Sequence, residues 1–193
     1  MRGSVFCKKT NPHGEEPTEA QASVGVSNHG HRRNSKTMTS HPDTANVVIR
    51  PPIALALAMV AGLALDWLHP LPFVPASLPR VWLGVAIFAT GFALFAWAIM
   101  TIRGGGSNVE TSKPTTAIVT DGPYRFTRNP IYLGMILGLI GLAVGVDTIW
   151  LLATLVVFYG VLRYGVIARE EVYLESKFGA TYLAFKSRVR RWL

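Results

Sequence analysis

Residues 81–102 read VWLGVAIFATGFALFAWAIMTI, a run of apolar and small side chains without a single charge. At about 1.5 Å per residue, a helix of about 22 residues crosses a hydrocarbon core of ~30 Å. Three weaker apolar stretches accompany it. Val47–Leu68 has Pro51 and Pro52 where a helix would start and Asp66 near its far end. Ile131–Val146 and Thr148–Ile167 are separated by little more than Asp147 and read as a tight helical hairpin. At about 16 residues, Ile131–Val146 spans only if Asn129 and Pro130 begin its helix inside the headgroup layer. The pattern predicts an all-α, multi-pass membrane bundle of about four spanning helices over residues 47–193.

Composition agrees. Of 193 residues, 50% are hydrophobic and 16% charged, and mean hydropathy is positive although the first fifty residues are polar. Soluble chains average about one quarter charged, so a soluble globular enzyme is disfavoured. The net charge of +8 then suits loops facing anionic lipid better than it suits nucleic acid. Residues 1–46 are rich in Ser, Thr, Asn, Pro, Gly and His without apolar periodicity, and read as a disordered tail. His13, His29, His31 and His41 are too irregularly spaced for a metal tract, and Cys7 has no partner for a disulfide or ligand cluster. No metal site is expected. The first thirty residues lack the apolar core of a signal peptide, so the first spanning helix is expected to act as the signal.

Loop charge orients the spans. Arg103, Lys113, Arg125 and Arg128 lie in the 103–130 loop, and the C-terminus is basic, whereas the 69–80 loop has only Arg80. The positive-inside rule places both termini and the 103–130 loop in the cytoplasm. Gly134, Gly138, Gly141 and Gly145 form one stripe, suited to a close helix neighbour or to close approach by a ligand. No Gly-rich phosphate-binding pattern occurs.

The polar residues near the membrane gather in two places. The first is Gly122-Pro123-Tyr124-Arg125-Phe126-Thr127-Arg128-Asn129-Pro130-Ile131-Tyr132. Pro130 suits a first helical turn and Asn129 its cap, and the free N–H groups there, beside Arg125 and Arg128, could take an anionic group. A headgroup-contacting basic loop is the alternative. In the second place, Tyr159, Arg163 and Glu170 recur on one helix face. Arg163 lies within the span, which makes it a functional candidate with Glu170 as expected partner. Glu170 and Glu171 are adjacent and must point in different directions. Beyond Gly179, Tyr182, Phe185, Val189 and Trp192 fall on one face of an interfacial amphipathic helix that either docks on the bilayer or covers a cytoplasm-facing cavity.

GPYRFTRNPIYLG, followed by EEVYLESKFGATYLAFKSRVRRWL, resembles the isoprenylcysteine carboxyl methyltransferase and phospholipid methyltransferase superfamily of integral membrane enzymes. The likeness covers roughly residues 104–193 in two gapped motifs. It implies S-adenosylmethionine held on the cytoplasmic side and a hydrophobic or lipid-linked small-molecule acceptor reached from the bilayer. Carried over by position, it implies that Tyr124, Arg125, Arg128, Asn129, Pro130, Tyr132 and Gly134 form the cofactor site. Ile118 and Val119 would line its adenine side, and Glu170 and Glu171 match the paired glutamates. Arg163 has no counterpart in the motifs. Asn129 stands where many members have histidine, so no imidazole base is expected at the site. An isoprenylcysteine-like carboxylate or a thiolate acceptor needs no base; a phospholipid amine would need Glu170 or Glu171. Two other readings stay open at this point: an NADPH-dependent membrane sterol or lipid reductase, and a non-catalytic membrane scaffold.

Overall fold

A computed structural model describes residues 47–106, 115 and 117–192. The expected tail, 1–46, and Lys113 lie outside the described residues. Within them every regular element is helical. Helices α1 (Pro51–Leu68), α2 (Arg80–Gly104) and α3 (Pro130–Val146) are followed by α4 (Ile149–Gly160), which runs through a π-helical stretch, Val161–Ile167, into α5 (Ala168–Phe178). Helix α6 (Ala180–Arg188) follows a turn at Gly179, and a single 3-10 turn, Gly122–Arg125, precedes α3.

Among the described residues, three helices are long and apolar enough to cross a membrane: α1, α2 and the continuous rod Ile149–Phe178. Helix α3 has 17 residues, or about 25 Å, and is shorter than the others. The rod is 30 residues, or about 45 Å, so roughly its last third stands beyond a ~30 Å hydrocarbon layer. Most large apolar side chains of α1 and α2 are exposed, as lipid-facing helices require when the bilayer replaces a core.

Glycine sets the closest packing. Helix α2 lies against α3 so tightly that a Cβ on Gly84 would sit 2.5 Å from Gly145 Cα, and one on Gly141 would sit 2.5 Å from Phe88 N. Gly91 and Gly134 oppose each other in the same way, each with its added Cβ under 3 Å from the other's carbonyl oxygen. The stripe on α3 is therefore a helix–helix seam. Gly134 takes part in that seam with Gly91 and Phe95. Helix α1 packs on α4 through Gly62, whose added Cβ would meet Leu151.

The two ends of the bundle are built differently. At one end Asp147, in the left-handed region at φ 62°, closes α3 and gathers the 69–79 loop. Its carboxylate accepts from the N–H groups of Phe73 and Val74, at 2.9 and 2.8 Å, and from Arg80 at 2.6 Å. Those backbone donors, with Arg80, hold its carboxyl below the usual carboxylate range. At the other end Ala98, Tyr124, Tyr182 and Phe185 form a small buried cluster. The two signature stretches meet there.

Candidate active site

The first stretch is fixed by its prolines. Pro123 starts the 3-10 turn and buries Tyr124 against Tyr182 and Phe185; Pro130 starts α3. Burial, with the Glu170 charge nearby, pushes the Tyr124 phenol above its ordinary value. Between the two prolines the chain turns so that Thr127, Arg128 and Asn129 face the C-terminal segment. Asn129 occupies the N-cap position, but its side chain does not cap the helix. Its Nδ2 donates instead to the Arg191 carbonyl at 3.1 Å, which Thr127 Oγ1 also reaches at 2.9 Å. The Arg128 N–H donates to the Arg190 carbonyl at 2.9 Å. Three consecutive residues thus strap the end of the chain onto the start of α3.

The second stretch enters from α5 and α6. One face of α5 directs Glu171 at two guanidinium groups: Arg191 donates through Nε at 2.9 Å and Nη2 at 2.5 Å, and Arg128 Nη1 stands 3.1 Å away. The carboxylate raises Arg191 above its ordinary value. Arg128 is largely buried, and its Nε has no hydrogen-bond partner among the described residues. Such an atom costs free energy unless an acceptor meets it. Tyr182 lies beside the cluster, 3.5 Å from Arg128 Nη1, and burial raises its phenol.

Glu170 points elsewhere. Its Oε1 accepts from the Tyr132 hydroxyl at 2.7 Å, and among the described residues no cation lies within ion-pair distance of it. The expected pairing with Arg163 is not formed. Val161–Ile167 is π-helical, and one wide turn shifts every later residue around the axis relative to an unbroken α-helix. The face that Tyr159, Arg163 and Glu170 would share is broken there. The Arg163 guanidinium lies 5.5 Å over the Tyr164 ring instead. The π stretch also leaves the Gly165 carbonyl free to accept from the Val48 N–H at 3.2 Å, tying the segment before α1 to the rod.

The remaining candidates divide. Ile118 and Val119 pack against the cluster of Ala98, Tyr124, Tyr182 and Phe185. Arg125 is exposed and takes no part in the network. Tyr182 and Phe185 are buried in the protein, so α6 covers this end of the bundle. The amphipathic face does not continue as one helix to the end: α6 stops at Arg188, and Val189 is extended. Trp192 then returns to α4, with its ring centroid 5.7 Å from that of Tyr159. Sequence reasoning missed Arg191 and Thr127 as parts of the site. The third residue of the VRR triplet was the available signal for Arg191; nothing in the sequence singled out Thr127.

Fold and site together define a helical membrane protein with one charged, partly buried cluster where its two signature stretches converge. The family model for phospholipid methyltransferase matches residues 79–181, more than half of the chain. The chain belongs to that family of membrane methyltransferases. An uncharacterized protein of Haemophilus influenzae is 45% identical over 65 residues, covering 33% of this chain and all of that one. The cobalt-zinc-cadmium resistance protein CzcN of Cupriavidus metallidurans is 29% identical over 104 residues, 54% of this chain and 43% of CzcN. The chain thus spans less than half the length of that second relative. No solved structure matches.

Proposed function

We propose that the protein is an S-adenosylmethionine-dependent methyltransferase. It works at the cytoplasmic edge of the bilayer on a small hydrophobic or lipid-linked acceptor: an isoprenylcysteine-like carboxylate, a phospholipid amine or a thiol. The observation that carries this reading is the buried Arg128 Nε, which has no hydrogen-bond partner among the described residues, at the same end of the bundle as Glu170, whose one described hydrogen-bond donor is the Tyr132 hydroxyl. A cationic donor atom and a carboxylate with no ion-pair partner among the described residues, both within the matched region, suit a ligand that carries a carboxylate and positive charge together.

When bound, S-adenosylmethionine would supply an electrophilic sulfonium methyl. The chain's residues then have separable tasks. Arg128 takes the ligand carboxylate through Nε. Ile118, Val119 and Tyr124 provide the apolar wall that excludes water from the adenine side. Tyr132 fixes Glu170, whose negative charge favours the cationic centre. Glu170 also takes the proton from an amine or thiol acceptor; a carboxylate acceptor needs no base. Glu171 acts through the two arginines. Loop charge supports the cytoplasmic placement.

Calorimetry of the purified protein in detergent, with S-adenosylhomocysteine and with NADPH, tests the reading. Saturable binding of the first, lost in a folded Arg128→Ala variant, is expected. Binding of NADPH alone would make the protein a reductase, and binding of neither would leave a scaffold.

A further inference from the structure

Two arginines meet one glutamate at this site, and they do not share it equally. Arg191 engages both Glu171 oxygens, Nε to Oε1 at 2.9 Å and Nη2 to Oε2 at 2.5 Å. Arg128 reaches Oε1 alone, through Nη1, and its Nε is left buried with no partner among the described residues. Arg191 is held for this task by contacts of its own backbone. Its carbonyl accepts from Thr127 and Asn129, and the next residue, Trp192, rests on Tyr159. The neighbouring Lys186 and Glu175 pair with each other and cancel. Counted apart from Glu170, the two guanidinium groups exceed the carboxylate they share by one positive charge, beside a buried N–H donor with no partner among the described residues.

We propose that Arg191 is a positioning residue for the anionic end of the ligand: by gripping Glu171 with two bonds, it keeps that carboxylate off the Nε edge of Arg128. The inference rests on the methyltransferase reading above. Arginine and carboxylate favour a parallel, two-bond geometry. With Arg191 gone, Glu171 has one guanidinium left, and that group already stands 3.1 Å away. A rotation would let Glu171 cover Nε and cancel the Arg128 charge. A ligand carboxylate would then compete with an anion tethered in place, at the high effective concentration a tether confers. Arg191 touches no reacting atom in this scheme. It acts by occupying the competitor.

The test is calorimetry in detergent with S-adenosylhomocysteine as the probe, on the full chain and three variants: Arg191→Gln, Glu171→Gln and the two combined. Arg191→Gln is expected to bind roughly ten- to a hundredfold more weakly, the range for a charge-assisted hydrogen bond. The combined variant is expected to return to within about threefold of the unaltered chain, because the competitor is neutral and the positive charge restored. A residue that merely held the C-terminus in place would not be rescued by a second lesion. A combined variant that binds as weakly as Arg191→Gln, or more weakly, overturns the inference. If Arg191→Gln does not fold, Glu171→Gln decides: binding at least as tight as the unaltered chain supports the inference, and weaker binding overturns it. Failure of the unaltered chain to bind overturns the methyltransferase reading and this inference with it; binding without rescue overturns the inference alone.

Discussion

The Tyr132 hydroxyl donates a 2.7 Å hydrogen bond to Glu170 Oε1, joining the first turn of α3 to the start of α5. It connects the two signature stretches directly, and it gives Glu170 its one described hydrogen-bond donor. Tyr132→Phe removes the donor and keeps the ring. Glu170 is half-buried, so the stability cost is about 1 kcal/mol, read as a small fall in the thermal midpoint in detergent. The larger effect is expected on binding, with affinity for S-adenosylhomocysteine falling about tenfold as Glu170 loses its fixed direction. Unchanged affinity would mean that Glu170 does not face the ligand.

The α2–α3 seam separates glycines that cannot change from others, such as Gly138, that can. A Cβ at Gly141 would lie 2.5 Å from the Phe88 nitrogen, and backbone cannot yield as a flexible side chain does. A Cβ at Gly138 meets only the edge of the Phe88 ring at 3.9 Å, an ordinary contact. Gly141→Ala is therefore expected to destabilise by about 1–3 kcal/mol, the usual cost of overpacking. Gly138→Ala is expected to be neutral or slightly stabilising, since alanine is the better helix former. Thermal unfolding of the two variants side by side checks this. Equal losses would show that the two helices are not packed as described.

How much of this was legible in the sequence depends on whether a feature is local. The spans follow from apolar runs, and the glycine seam follows from spacing on one helix. That Glu170 and Glu171 diverge follows from their being neighbours. Their partners do not. A π turn at Val161–Ile167 has no reliable sequence signal, yet it breaks the alignment that would have paired Arg163 with Glu170. Asn129 reads as a helix cap, the local preference, until a carbonyl at Arg191 competes for its amide. Asp147 reads as a spacer between two spans, because its donors, Phe73 and Val74, lie more than seventy residues away. Tertiary contacts override local propensity in each case.

The strap from Thr127 to Asn129 predicts where the C-terminus loosens. Thr127→Val removes one donor to the Arg191 carbonyl, and Asn129→Asp replaces the other with a repelling acceptor. Each hydrogen bond contributes about 0.5–1.5 kcal/mol, so exchange of the amides at 189–192 should quicken roughly two- to tenfold in either variant. Hydrogen exchange read by mass spectrometry resolves that segment. Exchange elsewhere, in α2 for example, should stay as it was. If the C-terminal amides do not respond, these two side chains do not hold the strap.

At the opposite end of the bundle, Asp147 makes stability depend on acid. Its carboxyl is held below the usual value first by the Val74 and Phe73 N–H groups and then by Arg80. A depressed value means that the ionised form is bound more tightly in the folded chain. The contribution is complete above the unfolded value of about 3.9 and is lost as pH falls through the lower, folded value. Asp147→Asn tolerates the left-handed backbone at this position but cannot ionise. Its thermal midpoint should therefore lie below that of the unaltered chain at pH 7, and the difference should hold down to about pH 4. Below that the two should converge, as protonation frees the Phe73 and Val74 amides from the anion that gathers the 69–79 loop. A gap that stays constant into strong acid would place the stabilisation in the shape of the turn and not in the charge of Asp147.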